Sequence, residues 1–379
     1  MKIAIVRQRY TPFGGAERFV ERALGALVAE GAEVTLITRS WKGAPRDGFS
    51  QLICDPPYSR LLRGRSARDA SFARCAQQAM AEGGFDITQS HERVPGCMIF
   101  RAGDGVHAAW LDHRGRSRGG LARLASRFSP FHRYVLAQEA AMLGHPALRK
   151  VICNSRLVMA EMQRYYGVPE EKLVLIENGV DLEAFHPRLR DVHRQETRLS
   201  LGVPLEAPLF LYVGGGFERK GVPRLIDALS RMENRQARLL VVGGDRSLKA
   251  MRVRAQQRSV GDRVIFTGPQ QDVKPYYGAA DAFVLPTLYD PMPNAALEAL
   301  ACGLPTISST ACGISARIRG GGNGFVIDAL DINLLACHMD TLAAPGVAAG
   351  MGAAARESVA DLSLEAMAER LLALYRSLA

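Results

Sequence analysis

The chain has no apolar run long enough to cross a membrane. Apolar runs such as LFLYV at 209–213 and RLLVVGG at 238–244 fall far short of the roughly 20 residues a span needs. A secretory leader is also missing. MKIAIVRQRY is a strand-like run with arginine close behind it, and it lacks a long apolar stretch and a small-residue cleavage site. The expectation is a chain that stays inside the cell. The cysteines, Cys54, Cys75, Cys97, Cys153, Cys302, Cys312 and Cys337, are odd in number and show no CxxC spacing. That argues against a disulfide framework or a cysteine zinc site, and for buried free thiols. HExxH is absent, since His91-Glu92 runs into Arg-Val-Pro. Aromatic residues make up 7% and are not interleaved with the basic stretches as in single-strand binders. Nucleic acid is therefore not an expected partner.

What is present is ordinary globular composition, 47% hydrophobic and 23% charged over 379 residues. That length predicts two domains. Net charge is +10, with arginines concentrated in the first half: Arg60, Arg63, Arg65 and Arg68, then Arg114, Arg116, Arg118, Arg123, Arg127 and Arg133. Such a surface attracts phosphate on nucleic acid, anionic lipid or a phosphorylated sugar, or it is simply a solvated face.

The start reads as strand (KIAIV), glycine loop (TPFGG), helix (AERFVERALGALVAEG) and strand (AEVTLIT). This βαβ unit implies a parallel sheet. Short strands follow around FDITQS, CMIF and KVICNS. Residues 186–208 are polar and arginine-rich, and read as a junction holding a short helix. A second series then begins with LFLYV, the loop GGGFERKG and the helix VPRLIDALSRM. ARLLVVGG, RVIFTG, DAFVLPT and LPTISS continue it. The fold class is α/β, with two doubly wound units. The expected division is 1–188, 189–358 and a terminal amphipathic helix in 359–379. Both glycine loops contain Gly-Gly-x-Glu-Arg, at 14–18 and 215–219. In such sheets ligands bind at the carboxyl ends of the strands.

Gly14 and Gly15 precede a helix, where free N–H groups attract phosphate. The loop is not GxGxxG, so the dinucleotide fingerprint is missing there. Arg219 and Lys220 end the second loop. A cation pair there suits a diphosphate and the charge it gains on leaving, or it is an exposed basic pair. In DPMPNAALEALACGLP at 290–305, Asn294 reads as an N-cap, Gly303 closes the helix and Pro305 follows. The N–H groups of Ala295 and Ala296 would be free, and Glu298 lies one turn in. A carboxylate there suits paired hydroxyls such as a ribose diol, and Asp290 suits sugar hydroxyls. The plain alternative is helix-dipole and turn chemistry. In RAGDGVHAAW, Asp104 or His107 could orient or deprotonate a hydroxyl, or be a turn aspartate beside a core histidine.

The segment Asp290-x7-Glu298 followed by Ala299-Leu300-Ala301-Cys302-Gly303-Leu304-Pro305 resembles the signature of glycosyltransferase family 4. The GGG–xxRKG loop, Gly14-Gly15 and ENGVD at 177–181 are similar to family features too. Within the family, PFGGAER, TRSWKG, VPG and AGDGV resemble the lipopolysaccharide core enzymes that glucosylate heptose. The resemblance implies a GT-B fold, two Rossmann-like domains facing a cleft, with the C-terminal helix crossing back to the first. It implies retaining, metal-independent transfer from a nucleotide sugar, with no cofactor. No Asp-x-Asp occurs, Asp181-Leu-Glu183 being nearest. The best substrate expectation is glucose from UDP-glucose, moved to a lipid-linked or phosphorylated glycan at an anionic inner-membrane surface. Glu298 would bind ribose, Asp290 the sugar, and Arg219 and Lys220 the diphosphate. Gly14, Gly15, Asn294 and Ala295 would help, Gly268 and Pro269 would lie near the base, and Asp104 and His107 would face the acceptor. The family usually has Glu where this chain has Asp290, which bears on donor-sugar identity. Two rival readings are a sugar-nucleotide epimerase of the same fold and a basic membrane or nucleic-acid binding protein with a degenerate site. An NAD-dependent oxidoreductase is disfavoured by the missing fingerprint.

Overall fold

A computed structural model describes residues 1–10, 28, 31–41, 48–59, 64–117 and 129–378. Gly14, Gly15 and most of the first expected helix lie outside the described residues. The chain divides into two compact units, Met1–Gly179 with Leu364–Ala379, and Val180–Ser363.

The first unit is built on β1 (Lys2–Val6), β2 (Arg9–Tyr10), β3 (Glu33–Thr38), β4 (Ser40–Trp41), β5 (Phe49–Ile53), β6 (Ile87–Ser90), β7 (Ile99–Arg101), β8 (Lys150–Cys153) and β9 (Leu173–Leu175). Seven of these form a parallel sheet in the order β5-β3-β1-β6-β7-β8-β9, and β2 pairs with β4 separately. In β1, Ile3, Ala4, Ile5 and Val6 are all buried, as expected where both faces of a parallel sheet are covered. Ile3 sits opposite Val34 on one side and Ile87 on the other. The chain builds outward from β1 through β3 to β5, then resumes on the other side at β6. The order therefore reverses between β1 and β6.

The helix Leu364–Leu378 completes this unit. Met367, Leu371, Leu374 and Tyr375 recur at helical spacing and join Ile3, Ile5, Leu36, Ile87 and Ile99 in one cluster. The Tyr375 hydroxyl donates to Gln89 Oε1 at 2.8 Å, so its one polar atom is satisfied inside the core. The chain thus returns to the first unit after finishing the second.

The second unit holds β10 (Leu209–Val213), β11 (Arg238–Val242), β12 (Val264–Gly268), β13 (Ala282–Leu285), β14 (Thr306–Ser309) and β15 (Gly324–Ile327). Their order is β12-β11-β10-β13-β14-β15, all parallel. Here the reversal falls between β10 and β13. Segment 186–208 carries a 12-residue helix, Leu189–Ser200, which packs on the helix Lys274–Ala279. Both units are therefore doubly wound, as the apolar runs predict.

One expectation is corrected. Cys54 and Cys75 form a disulfide between the end of β5 and the helix Gly64–Glu82. Spacing did not reveal it, because helix packing on the sheet edge brings the two together across 21 residues. Cys97, Cys153, Cys302 and Cys312 are buried thiols, whereas Cys337 is exposed. No helix among the described residues is long and apolar enough to cross a membrane.

Gly221 closes the turn after β10 at φ +95°, and a side chain there would run into the Pro286 carbonyl. Gly320 has ordinary φ and open space around it. Gly221→Ala should cost about 1–3 kcal/mol from strain and crowding, and Gly320→Ala less than about 0.5 kcal/mol. Urea unfolding checks the pair.

Candidate active site

The reversal between β10 and β13 opens a crevice at the carboxyl ends of two adjacent strands. After Val213 the chain passes through Gly214, at φ +139°, and Gly216, at φ +68°. A side chain at Gly243 would strike the Gly214 carbonyl, so the loops after β10 and β11 touch backbone to backbone. The short helix Phe217–Lys220 is held at its start by Asp245, whose carboxylate accepts the Phe217 N–H at 2.6 Å. At its end, the Arg219 carbonyl accepts the Leu288 N–H at 2.8 Å and the Thr287 hydroxyl at 3.2 Å. The cationic turn is therefore sewn to the loop after β13.

That stitching brings three predicted residues together. Lys220 Nζ lies 3.1 Å from Asp290 Oδ2. The Arg219 guanidinium donates to the Tyr289 carbonyl at 2.5 Å and lies 3.5 Å from Asp290 Oδ2. Asp290 is buried and fixed by its backbone, its N–H donating to the Ala311 carbonyl and its carbonyl accepting from Gly313. Sequence reasoning gave Asp290 and the cations separate roles. The structure holds them as one ion-paired group in which Arg219 keeps more solvent contact than Lys220, 37% against 18%.

Glu298 lies on the helix Asn294–Ala301. The cap differs from expectation. Pro293 takes the extended N-cap position because its carbonyl accepts the first intrahelical bonds, from Ala296 at 3.1 Å and Leu297 at 3.3 Å. Asn294 is therefore the first helical residue, and the Ala296 N–H is not free. Asn294 and Ala295 are half-buried at this terminus. Glu298 Oε2 accepts from the buried Tyr277 hydroxyl at 2.8 Å, which also lies 3.0 Å from the Ala295 carbonyl. Tyr277 carried no sequence signal. It comes from a separate helix 21 residues earlier. Gly268, at φ +73°, ends β12 and accepts the Gly243 N–H at 2.9 Å. Pro269 borders Gly244. Gly268 and Pro269 thus adjoin the loop after β11.

In the first unit, Asp104 is exposed on the turn after β7. His107 opens the helix His107–Arg116, and its N–H donates to the fully buried Glu139 carboxylate. Glu139 also accepts from Arg93 Nε at 2.8 Å and the Tyr166 hydroxyl at 2.7 Å. His107 Nε2 lies 3.1 Å from His132 Nδ1. Burial, reinforced by Arg93, His132, Arg65 and Arg114, pushes the His107 pKa down to about 3. A base that weak is a poor proton acceptor near neutral pH. Asn154 donates to the Gly103 carbonyl at 3.2 Å, while its buried Oδ1 has no hydrogen-bond partner. Sequence reasoning missed Glu139, Arg93 and Tyr166, which converge only through tertiary packing. Among the described residues no group of three or more His, Cys, Asp and Glu is placed to hold a metal ion.

Two family models match the chain. Glycosyltransferase Family 4 covers residues 13–184, and Glycosyl transferases group 1 covers residues 207–344. The lipopolysaccharide glucosyltransferase WaaG of Escherichia coli K12 is 28% identical over 333 residues, covering 86% of this chain and 85% of WaaG. A D-inositol 3-phosphate glycosyltransferase of Jonesia denitrificans is 26% identical, over 83% of this chain and 79% of its own. The WaaG crystal structure superposes with a TM-score of 0.82 at 24% identity, covering 98% of this chain and 99% of WaaG. Anabaena HepE in complex with UDP-glucose gives 0.73 at 18% identity, over the full length of both. Two Rossmann-like sheets with the terminal helix returned to the first define a GT-B glycosyltransferase. The chain belongs to glycosyltransferase family 4, and is related there to the lipopolysaccharide core glucosyltransferases.

The histidines give a pH prediction. His91 is held well below its ordinary pKa by burial, then by Arg101 and Arg7, and His107 is lowered as well. Both are neutral when folded, while the unfolded chain takes up protons near pH 6.5. Their effect is absent above that pH and removes stability as pH falls below it. The urea midpoint should therefore fall between pH 7.5 and 5, and fall less in His91→Gln and in His107→Gln. An unaltered slope in both variants would contradict the assignment.

Proposed function

We propose that this chain moves a hexose, glucose from UDP-glucose, onto a lipopolysaccharide core or other lipid-linked glycan, with retention of configuration and without a metal. The observation that carries the proposal is the Arg219–Lys220–Asp290 group at the switch point of the second sheet. A diphosphate arriving there competes with Asp290 for two cations on a backbone already fixed. Little reorganisation is then needed when charge develops on the leaving group. Asp290, once displaced, is placed to accept from sugar hydroxyls. Glu298, with Tyr277 on one oxygen, takes the ribose diol. Asn294 and Ala295 contribute backbone, and Gly268 and Pro269 border the base. The relatives support the donor: one is named a glucosyltransferase, and HepE is in complex with UDP-glucose.

In the transfer, the sugar C1–phosphate oxygen bond breaks and a bond from C1 to the acceptor oxygen forms on the same face. The acceptor proton passes to the departing diphosphate, so no protein nucleophile is needed. Asp104 orients the acceptor hydroxyl, with His107 beside it. The exposed arginines of that unit suit a phosphorylated acceptor. The inositol phosphate relatives favour the same acceptor chemistry. The exposed Arg65, Arg116 and Arg133 suit an anionic membrane surface, and we assign the protein to the cytoplasmic face.

Lys220→Ala and Glu298→Ala should each lower glucosyl transfer about 100-fold or more, with the thermal melt retained. Wild-type turnover in either would sink the site assignment. Chelation by EDTA should leave the rate unchanged. Transfer that requires added lipid extract separates this reading from an epimerase, which converts donor without acceptor. An inverted anomer in the product would rule out retention.

A further inference from the structure

The second unit contains a cavity of about 840 Å³ with no part in the activity described above. It lies at the amino-terminal ends of β10, β13 and β14, where Pro208, Asp281 and Leu304 line it. The candidate donor site occupies the opposite ends of those strands. Its volume is within the range of small-molecule pockets.

Two walls differ in chemistry. One is apolar and built of Leu205, Leu342, Ala343, Pro345, Ala348 and Ala349. The other is a guanidinium cluster around a single carboxylate. Asp281 lies 2.6 Å from Arg198, 2.9 Å from Arg194 and 3.3 Å from Arg190. Burial alone would raise the Asp281 pKa. Arg198, Arg194 and the Leu209 N–H together pull it below the ordinary value, so it is ionised. Arg356 also lines the cavity, as does the acid Glu206. Four arginines thus face two carboxylates on or just behind the walls, leaving an excess of positive charge. Arg190 is 45% exposed. It donates to the Ala280 carbonyl and to Asp281, which leaves donor capacity among its five N–H groups.

We propose that this cavity binds a single-chain amphiphile with a carboxylate head, its chain on the apolar wall and its head on Arg190 and Arg194. A planar carboxylate matches the guanidinium fork. The cavity also has a route to the donor site. Tyr277 lines it, and the Tyr277 hydroxyl donates to Glu298. Cys302, Gly303 and Leu304, which follow the helix bearing Glu298, line it too. An occupant therefore shifts donor affinity. That second step rests on the donor reading of Glu298, whereas the binding step does not.

The binding step is tested by calorimetry with decanoate below its micelle concentration, with decylammonium as the cationic control. Wild-type protein should bind decanoate saturably and ignore decylammonium. Arg190→Glu removes the head contact and Ala349→Trp, on an exposed position of the apolar wall, fills the space. Each should weaken decanoate binding about tenfold or more. Equal affinity in both variants, equal binding of decylammonium, or no saturable binding overturns the site. For the coupling, UDP-glucose affinity is measured with and without saturating decanoate. A shift of about fivefold or more is expected in wild type, and none in Tyr277→Phe. Unchanged UDP-glucose affinity in wild type overturns the coupling. If UDP-glucose fails to bind at all, the donor reading falls, and the decanoate titrations still decide the site.

Discussion

The Arg219 carbonyl accepts hydrogen bonds from both Leu288 and Thr287, and the candidate donor site depends on that join. Two loops that follow neighbouring strands would otherwise be free to move apart. The turn bearing Lys220 can approach the second loop so closely only because Gly221 has no side chain to meet the Pro286 carbonyl. Once joined, Lys220 and Asp290 have little freedom left, and their ion pair forms at small entropic cost. The two cations are therefore held in place before any anion arrives.

The first unit uses a carboxylate in a different way. Glu139 is wholly buried and takes donors from Arg93, Tyr166 and the His107 backbone. A buried charge is tolerated only with such partners. The result locks the start of the helix His107–Arg116 against the turn carrying Asp104. Rigid support beneath an exposed acid is what an orienting residue needs.

Much of the fold was legible, for a simple reason. Strands buried on both faces have to be continuous apolar runs, so LFLYV, RLLVV and AFVL announced themselves. Three strands of the two large sheets did not: β5, β9 and β15 are short edge strands with partly exposed patterns, and half-exposed residues carry a weaker signal. The residues of the candidate donor group were readable from spacing within one motif and one loop. Their pairing was not, because 70 residues separate Lys220 from Asp290 and only the strand order brings them together. Tyr277, Glu139 and the Cys54–Cys75 bond were hidden for the same reason. The helix cap was misassigned because Asn294 has the better capping side chain, while the backbone of Pro293 decides the geometry.

The return of the last helix has a consequence for how the molecule is made. Met367, Leu371, Leu374 and Tyr375 belong to the core of the first unit, yet they leave the ribosome after every residue of the second. The usual order of folding during synthesis, first domain first, is therefore reversed in its final step. The second unit can close its core while the first still lacks a wall, and the nascent first unit exposes an apolar sheet face until residues 364–378 have emerged.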